Sequence, residues 1–262
     1  MIHFFFCLIL FFLSYWFCQY SEKPVLITSK QDSAHNFNYN FLNYISLGNR
    51  RMFADWIWVQ TLLESDIDHY KSNDLNNWMY IRFNTILSLD TKFLEAYQFG
   101  GQYLSIIKDD NLGAIDIYKR GLDIYPDDFF LTWNAGFHYY YELGDYESAA
   151  ELFEKILYHK RSPNYLPSIV AKLKNKGGDF ETALKILENS FEKSPENSPM
   201  KFKFAENILS LKVTHDLSCL NNNMKDCKLF KPNNIQYILK DGKYTTNFPV
   251  KEFKLFSRSN KQ

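Results

Sequence analysis

From residue 50 onward, apolar side chains return every three or four positions. In "RRMFADWIWVQTLLESDIDHY" the residues Phe53, Trp56, Ile57, Leu62 and Leu63, with Gln60 among them, mark one face of an amphipathic helix. "NNWMYIRFNTILSL" predicts a second helix, with Asn76 or Asn77 as its N-cap. The same period continues to about residue 220. Residues 221–262 lose it: "NNNMKDCKLFKPNN" is polar and turn-rich, and "IQYILKDGKYTTNFPVKEFKLFS" reads in two ways. One is a short helix capped by Asn233 or Asn234 and stopped at Gly242. The other is a hairpin on Asp241-Gly242. The capping asparagines tilt the expectation toward the helix. In either form this segment is expected to cap the apolar end of the helical region.

Three stretches of the helical region align with one another. "NLGAIDIYKRGLDIYPDD", "GDYESAAELFEKILYHKRSP" and "GGDFETALKILENSFEKSPEN" each carry a small residue early in a helix, at Ala114, Ala149 and Ala183. These alanines fall 35 and then 34 residues apart. Four residues after each stands a larger apolar side chain, Tyr118, Phe153 and Leu187. Pro126 and Pro195 close two of the units, and Pro163 closes the middle one slightly later. A helix pair of this length cannot bury its apolar face alone, so neighbouring pairs must stack. The small residue admits a close helix approach and the larger one fills the groove beside it.

These units resemble tetratricopeptide repeats, whose period is about 34 residues with Trp, Gly, Tyr, Ala, Phe and Pro at fixed places. The middle unit matches best, with Trp133, Tyr140, Ala149 and Phe153 at signature positions and Gly144-Asp145 at the inter-helix turn. Gly178-Asp179 repeats that turn, and Gly100-Gly101 supplies close approach one unit earlier. The pattern departs at Gly136-Phe137, at Ile156 and at Pro167, which stands in the Trp place. The resemblance implies an all-α solenoid of helical hairpins over residues 47–220. It also implies a groove lined by the first helix of each unit. Gln98, Gln102, Asn134, His138, Tyr141, Ser168, Lys172 and Asn175 fall on that lining and form the candidate partner-binding set. Each is equally a residue type that the solvated face of a helix carries.

The first twenty residues differ in kind. "MIHFFFCLILFFLSYWFCQY" is apolar from Ile2 to Cys18 apart from His3 and Ser14, near the shortest length that spans a hydrocarbon core. Tyr15, Trp16 and Tyr20 gather at one end, as interfacial aromatics do. A cleaved signal peptide is the rival, but no small-x-small pair precedes a cut site, and bulky Trp16 and Phe17 stand before Cys18. The expectation is an uncleaved single-pass anchor at 1–20 and a polar linker at 21–46. The soluble part is expected outside the cytoplasm, in a periplasm-like compartment. Cys7 and Cys18 belong to the anchor. Cys219 and Cys227 remain as an even pair, which fits a disulfide in an oxidising compartment or two ordinary thiols.

Charge and motifs narrow the function. Lysine plus arginine equals aspartate plus glutamate, 30 each, so no basic excess draws the chain to nucleic acid. Only 10 glycines and 8 prolines disfavour an all-β fold built on many tight turns. No phosphate loop, dinucleotide fingerprint, nucleophile elbow or His-Glu-x-x-His helix is present. "ESDIDHY" gathers Glu64, Asp66, Asp68 and His69, a carboxylate–histidine cluster with no counterpart elsewhere in the chain. It reads better as a solvated helix end than as a metal site. No catalytic residue, metal or cofactor is therefore assigned. The expected role is a non-catalytic, membrane-tethered scaffold or assembly subunit for a protein partner, similar to membrane-anchored repeat proteins of bacterial envelopes. An adaptor for short peptide C-termini is the first alternative and a metal-dependent enzyme the second.

Overall fold

A computed structural model describes residues 10–16, 29–222, 227–233 and 235–255. The chain divides into two units, residues 1–35 and 36–262. In the first, residues 10–16 are helical (α1), and Lys30–Ser33 forms one short turn (α2) that the Ser29 side chain caps by accepting from the Asp32 amide. The rest of the expected anchor, residues 1–9 and 17–20, lies outside the described residues, as does 21–28 of the linker. Among the described residues, no helix is long and apolar enough to cross a membrane.

Among its described residues, the regular secondary structure of the second unit is helical apart from one hairpin. Tyr39–Ile45 (α3) buries Leu42, so the end of the expected linker belongs to the folded body. Arg50–Leu63 (α4) pairs with Trp78–Leu89 (α5), Leu94–Gln102 (α6) with Asn111–Ile124 (α7), and Phe129–His138 (α8) with Tyr146–Lys155 (α9). Leu166–Lys176 (α10) pairs with Phe180–Lys193 (α11), which then meets Pro199–Asn221 (α12). The N-caps recur with the sequence period. Asp110, Asp145 and Asp179 begin α7, α9 and α11 by accepting from the amides of Gly113, Ser148 and Thr182. Gly144 and Gly178, at φ 65° and 89°, make the turns before the last two.

The close approach expected at the repeats is physical. Ala114, Ala149 and Ala183 are fully enclosed, and so are Tyr118, Phe153 and Leu187. The facing helices give way where the filler is aromatic. A Cβ on Gly101 would stand 2.5 Å from the Tyr118 ring, and one on Gly136 would stand 2.8 Å from Phe153. At the third unit, where Leu187 is the filler, α10 carries buried Ala171 in the same core cluster. Gly136→Val is therefore expected to cost about 1–3 kcal/mol by overpacking. Phe153→Leu in the same chain should restore part of it. Urea unfolding midpoints of the two variants check this.

The tail corrects the expected helix. Tyr237–Lys240 (β1) and Lys243–Thr246 (β2) form an antiparallel hairpin with Lys240 opposite Lys243. Asp241 and Gly242 take φ 51° and 76°, the left-handed pair that a two-residue hairpin turn demands. That turn chemistry outweighs the capping asparagines, of which Asn234 lies outside the described residues. The hairpin is fastened to α12. The Asn221 side chain exchanges bonds with the Tyr244 backbone, at 2.7 and 3.1 Å, and Tyr237 donates to Asp216. Beyond the hairpin, Phe253 returns to the core and is 5% exposed.

Candidate binding groove

Three helices build a hollow that joins an aromatic wall to lysines. From the end of α8, Phe137, Tyr140 and Tyr141 form one wall; Tyr165, Ser168, Ile169 and Lys172 at α10 form the floor. Met200, Lys203 and Asn207 of α12 close the far side, and Leu255 of the tail stands at the edge. The hollow holds about 440 Å³. Ser168 and Asn207 tie the two helices together beneath it, the amide donating to the hydroxyl at 2.8 Å. Both residues are buried, so this bond sets the distance between α10 and α12.

The aromatic wall owes its position to a widened turn. Residues Tyr139–Leu143 continue α8 as a single π-turn, and Tyr103–Ile107 does the same after α6. Such an insertion rotates the side chains beyond it relative to the regular helix. Phe137 and Tyr141 then stack, with ring centroids 5.3 Å apart, and Tyr140 meets Phe137 edge-on. Partly exposed aromatic faces of this kind supply contact area at a small entropic cost.

Charge collects at the other side. Burial lowers the pKa of Lys172, nearby Lys203 and Lys251 lower it further, and Glu206 opposes them. Lys203 bonds Glu206 at 2.6 Å, which raises the lysine and lowers the carboxylate, and Lys251 approaches Glu206 at 3.8 Å. Three lysines face one glutamate, so the local balance is positive.

Of the eight expected groove residues, Tyr141, Ser168 and Lys172 meet at this hollow. Gln102, Asn134 and Asn175 are partly exposed and stand apart from it. Gln98 and His138 turn inward instead. Gln98 donates to Asp128, the N-cap of α8, at 2.7 Å and so joins α6 to its neighbour. His138 is 1% exposed, lies against Tyr118, and holds its Nδ1 2.7 Å from the Ser105 hydroxyl. Burial pulls its pKa down to about 4, against a smaller opposing contribution from the Asn111 backbone. A neutral, enclosed imidazole cannot meet a partner. Lys203 and Asn207, one turn apart on α12, were hidden in the sequence because that helix reads as a closing helix, not as a lining one.

Glu64 pairs with buried Arg82 at 3.0 Å and Asp66 pairs with buried Lys108, so two carboxylates of "ESDIDHY" balance enclosed cations. Both cations also lie over the Trp78 ring, at 5.0 and 5.5 Å. Cys219 and Cys227 form a disulfide across Cα atoms 5.8 Å apart. His215 approaches these sulfurs at 3.6 and 3.9 Å between Phe180 and Phe230. The three residues have the composition of a metal site, but joined sulfurs offer no thiolate. Compared with known proteins, the chain matches no family model and no curated protein.

Proposed function

We propose that this chain is a non-catalytic scaffold, a tetratricopeptide-like α-solenoid that binds a protein partner through the groove of α8, α10 and α12. In this reading the N-terminal apolar segment tethers it to a membrane, with the folded body on the extracytoplasmic side. The observation that carries the proposal is the groove itself. It combines stacked, partly exposed aromatics at the end of α8 with a half-buried lysine on α10 and a second lysine on α12. Regular stacking of hairpins with period-matched caps and Gly–aromatic contacts supports the solenoid. The disulfide supports an oxidising compartment. The neighbouring Lys172 and Lys203 favour an adaptor for peptide carboxylate ends as the second reading, in which amidating a bound peptide would remove its affinity.

The test is co-purification of the full chain from native membranes, with partners identified by mass spectrometry. A variant carrying Tyr141→Ala, Lys172→Glu and Lys203→Glu alters the hollow without touching the enclosed Gln98 or His138. Its yield of the specific partner is expected to fall at least tenfold while its helical circular dichroism is kept. Equal capture by the variant would move the binding surface off this groove.

A further inference from the structure

The tail runs into the groove that the proposed function assigns to a partner. Residues 249–255 have no regular secondary structure, and over 252–255 outward and inward side chains alternate. Phe253 is buried and Leu255 half-buried, while Lys251, Glu252 and Lys254 are exposed. Over those four residues the period of two sets Phe253 and Leu255 on one side, and the Lys254 amide donates to the Glu252 carbonyl at 3.0 Å. Phe253 enters the core cluster shared by α8 to α12, and Lys172 lies over its ring at 5.7 Å. Leu255 lines the hollow of about 440 Å³ together with Phe137, Tyr140 and Tyr141. The fit is also poor in charge. Lys251 brings a third cation toward Lys172 and Lys203, and its Nζ stands 3.8 Å from Oε1 of Glu206 while Lys203 holds Oε2 at 2.6 Å.

We propose that the groove binds an extended partner segment with an aromatic and an aliphatic side chain two residues apart beside an acidic group. Phe253 and Leu255 of the chain's own tail occupy part of that path until such a segment displaces them. The inference rests on the groove reading above and adds the ligand's pattern and a built-in competitor. An acidic residue at the place of Lys251 would meet Lys172 and Lys203 with opposite charge where the tail brings like charge. The competitor acts at high effective concentration because it is tethered, so removing its anchors should expose affinity that the intact chain conceals.

The probe is a fluorescein-labelled synthetic peptide spanning 249–255 with Lys251→Glu. It is titrated against the full chain in detergent and against the full chain carrying Phe253→Ala and Leu255→Ala. The doubly substituted chain is expected to bind at least tenfold more tightly, and adding Lys172→Glu should reverse most of that gain. A peptide with alanine at both apolar positions should not bind. Equal binding to the two chains, or none to the substituted one, overturns the proposal. If the double variant loses its cooperative melt, Leu255→Asp alone disturbs only the groove edge, and a gain of about threefold is expected there; no gain again overturns it. Partner capture measured in parallel separates the two readings. Capture that depends on Tyr141, Lys172 and Lys203 while the peptide fails refutes this ligand pattern alone, whereas capture indifferent to them refutes the groove.

Discussion

Asp216→Ala is expected to destabilise the chain by about 3–5 kcal/mol and to release the C-terminal hairpin from α12. The carboxylate is 0% exposed and serves the segment that follows the disulfide. Its two oxygens accept from the amides of Phe230 and Lys231 at 2.8 and 2.9 Å and from the Tyr237 hydroxyl at 2.7 Å. Lys231 takes φ 44°, which turns consecutive amides toward one anion in the manner of a backbone nest. Burial, then the bond to Asp216, raises the Tyr237 pKa, so the phenol stays a donor over the working range. Alanine would leave all three donors without this acceptor, and those of the half-buried Phe230 and Tyr237 would each cost about 1–3 kcal/mol. Asp216→Asn keeps the volume but offers one acceptor oxygen, and about half the loss is expected. Thermal melts give the magnitude. Hydrogen exchange locates it: the amides of Phe230, Lys231 and β1 should lose protection first, while those of α5 and α7 keep theirs. Uniform loss across the chain would mean that Asp216 belongs to the general core and does not specifically hold the tail.

The sequence carried the helical body because its signals are redundant. Ala114, Ala149 and Ala183 repeat the spacing of the N-caps Asp110, Asp145 and Asp179, and Gly101 and Gly136 repeat the approach to Tyr118 and Phe153. Several independent marks at one period leave little room for another arrangement. The groove was only half legible. The repeat resemblance placed Tyr141, Ser168 and Lys172 on the groove lining, but it placed His138 and Gln98 there as well. Each of these two found an internal partner across another helix, Ser105 and Asp128 respectively, and periodicity within one helix carries no information about such partners. The tail was least legible. Short apolar runs around Asp241-Gly242 satisfy a helix and a hairpin alike, and only the positive φ of both residues decides between them. Phe253 and Leu255 reach the core from far along the chain, through a contact that no local pattern announces.

His138 should make the chain lose stability as the medium is acidified from pH 7 to pH 4, by an amount on the order of 3 kcal/mol. Its ordinary pKa of 6.5 is lowered to about 4 by enclosure against Tyr118 and Ser105. The unfolded chain therefore binds the proton that the folded chain refuses throughout that window. More protons on the unfolded side mean that stability rises with pH, so the contribution is whole above pH 6.5 and is lost as pH falls toward 4. Asp110, one residue before α7, contributes with the opposite sign because burial raises its pKa: the folded chain holds that proton more readily, which favours it at low pH. The raw pH profile mixes the two, and the difference between wild type and His138→Gln isolates the imidazole. Glutamine keeps a side chain able to bond the Ser105 hydroxyl but does not titrate. Urea unfolding at half-unit steps should show the two chains converging by about 3 kcal/mol between pH 7 and pH 4. Parallel profiles would mean that the imidazole is protonated in the folded chain at pH 4 to 6 without penalty, and that His138 stands open to solvent after all.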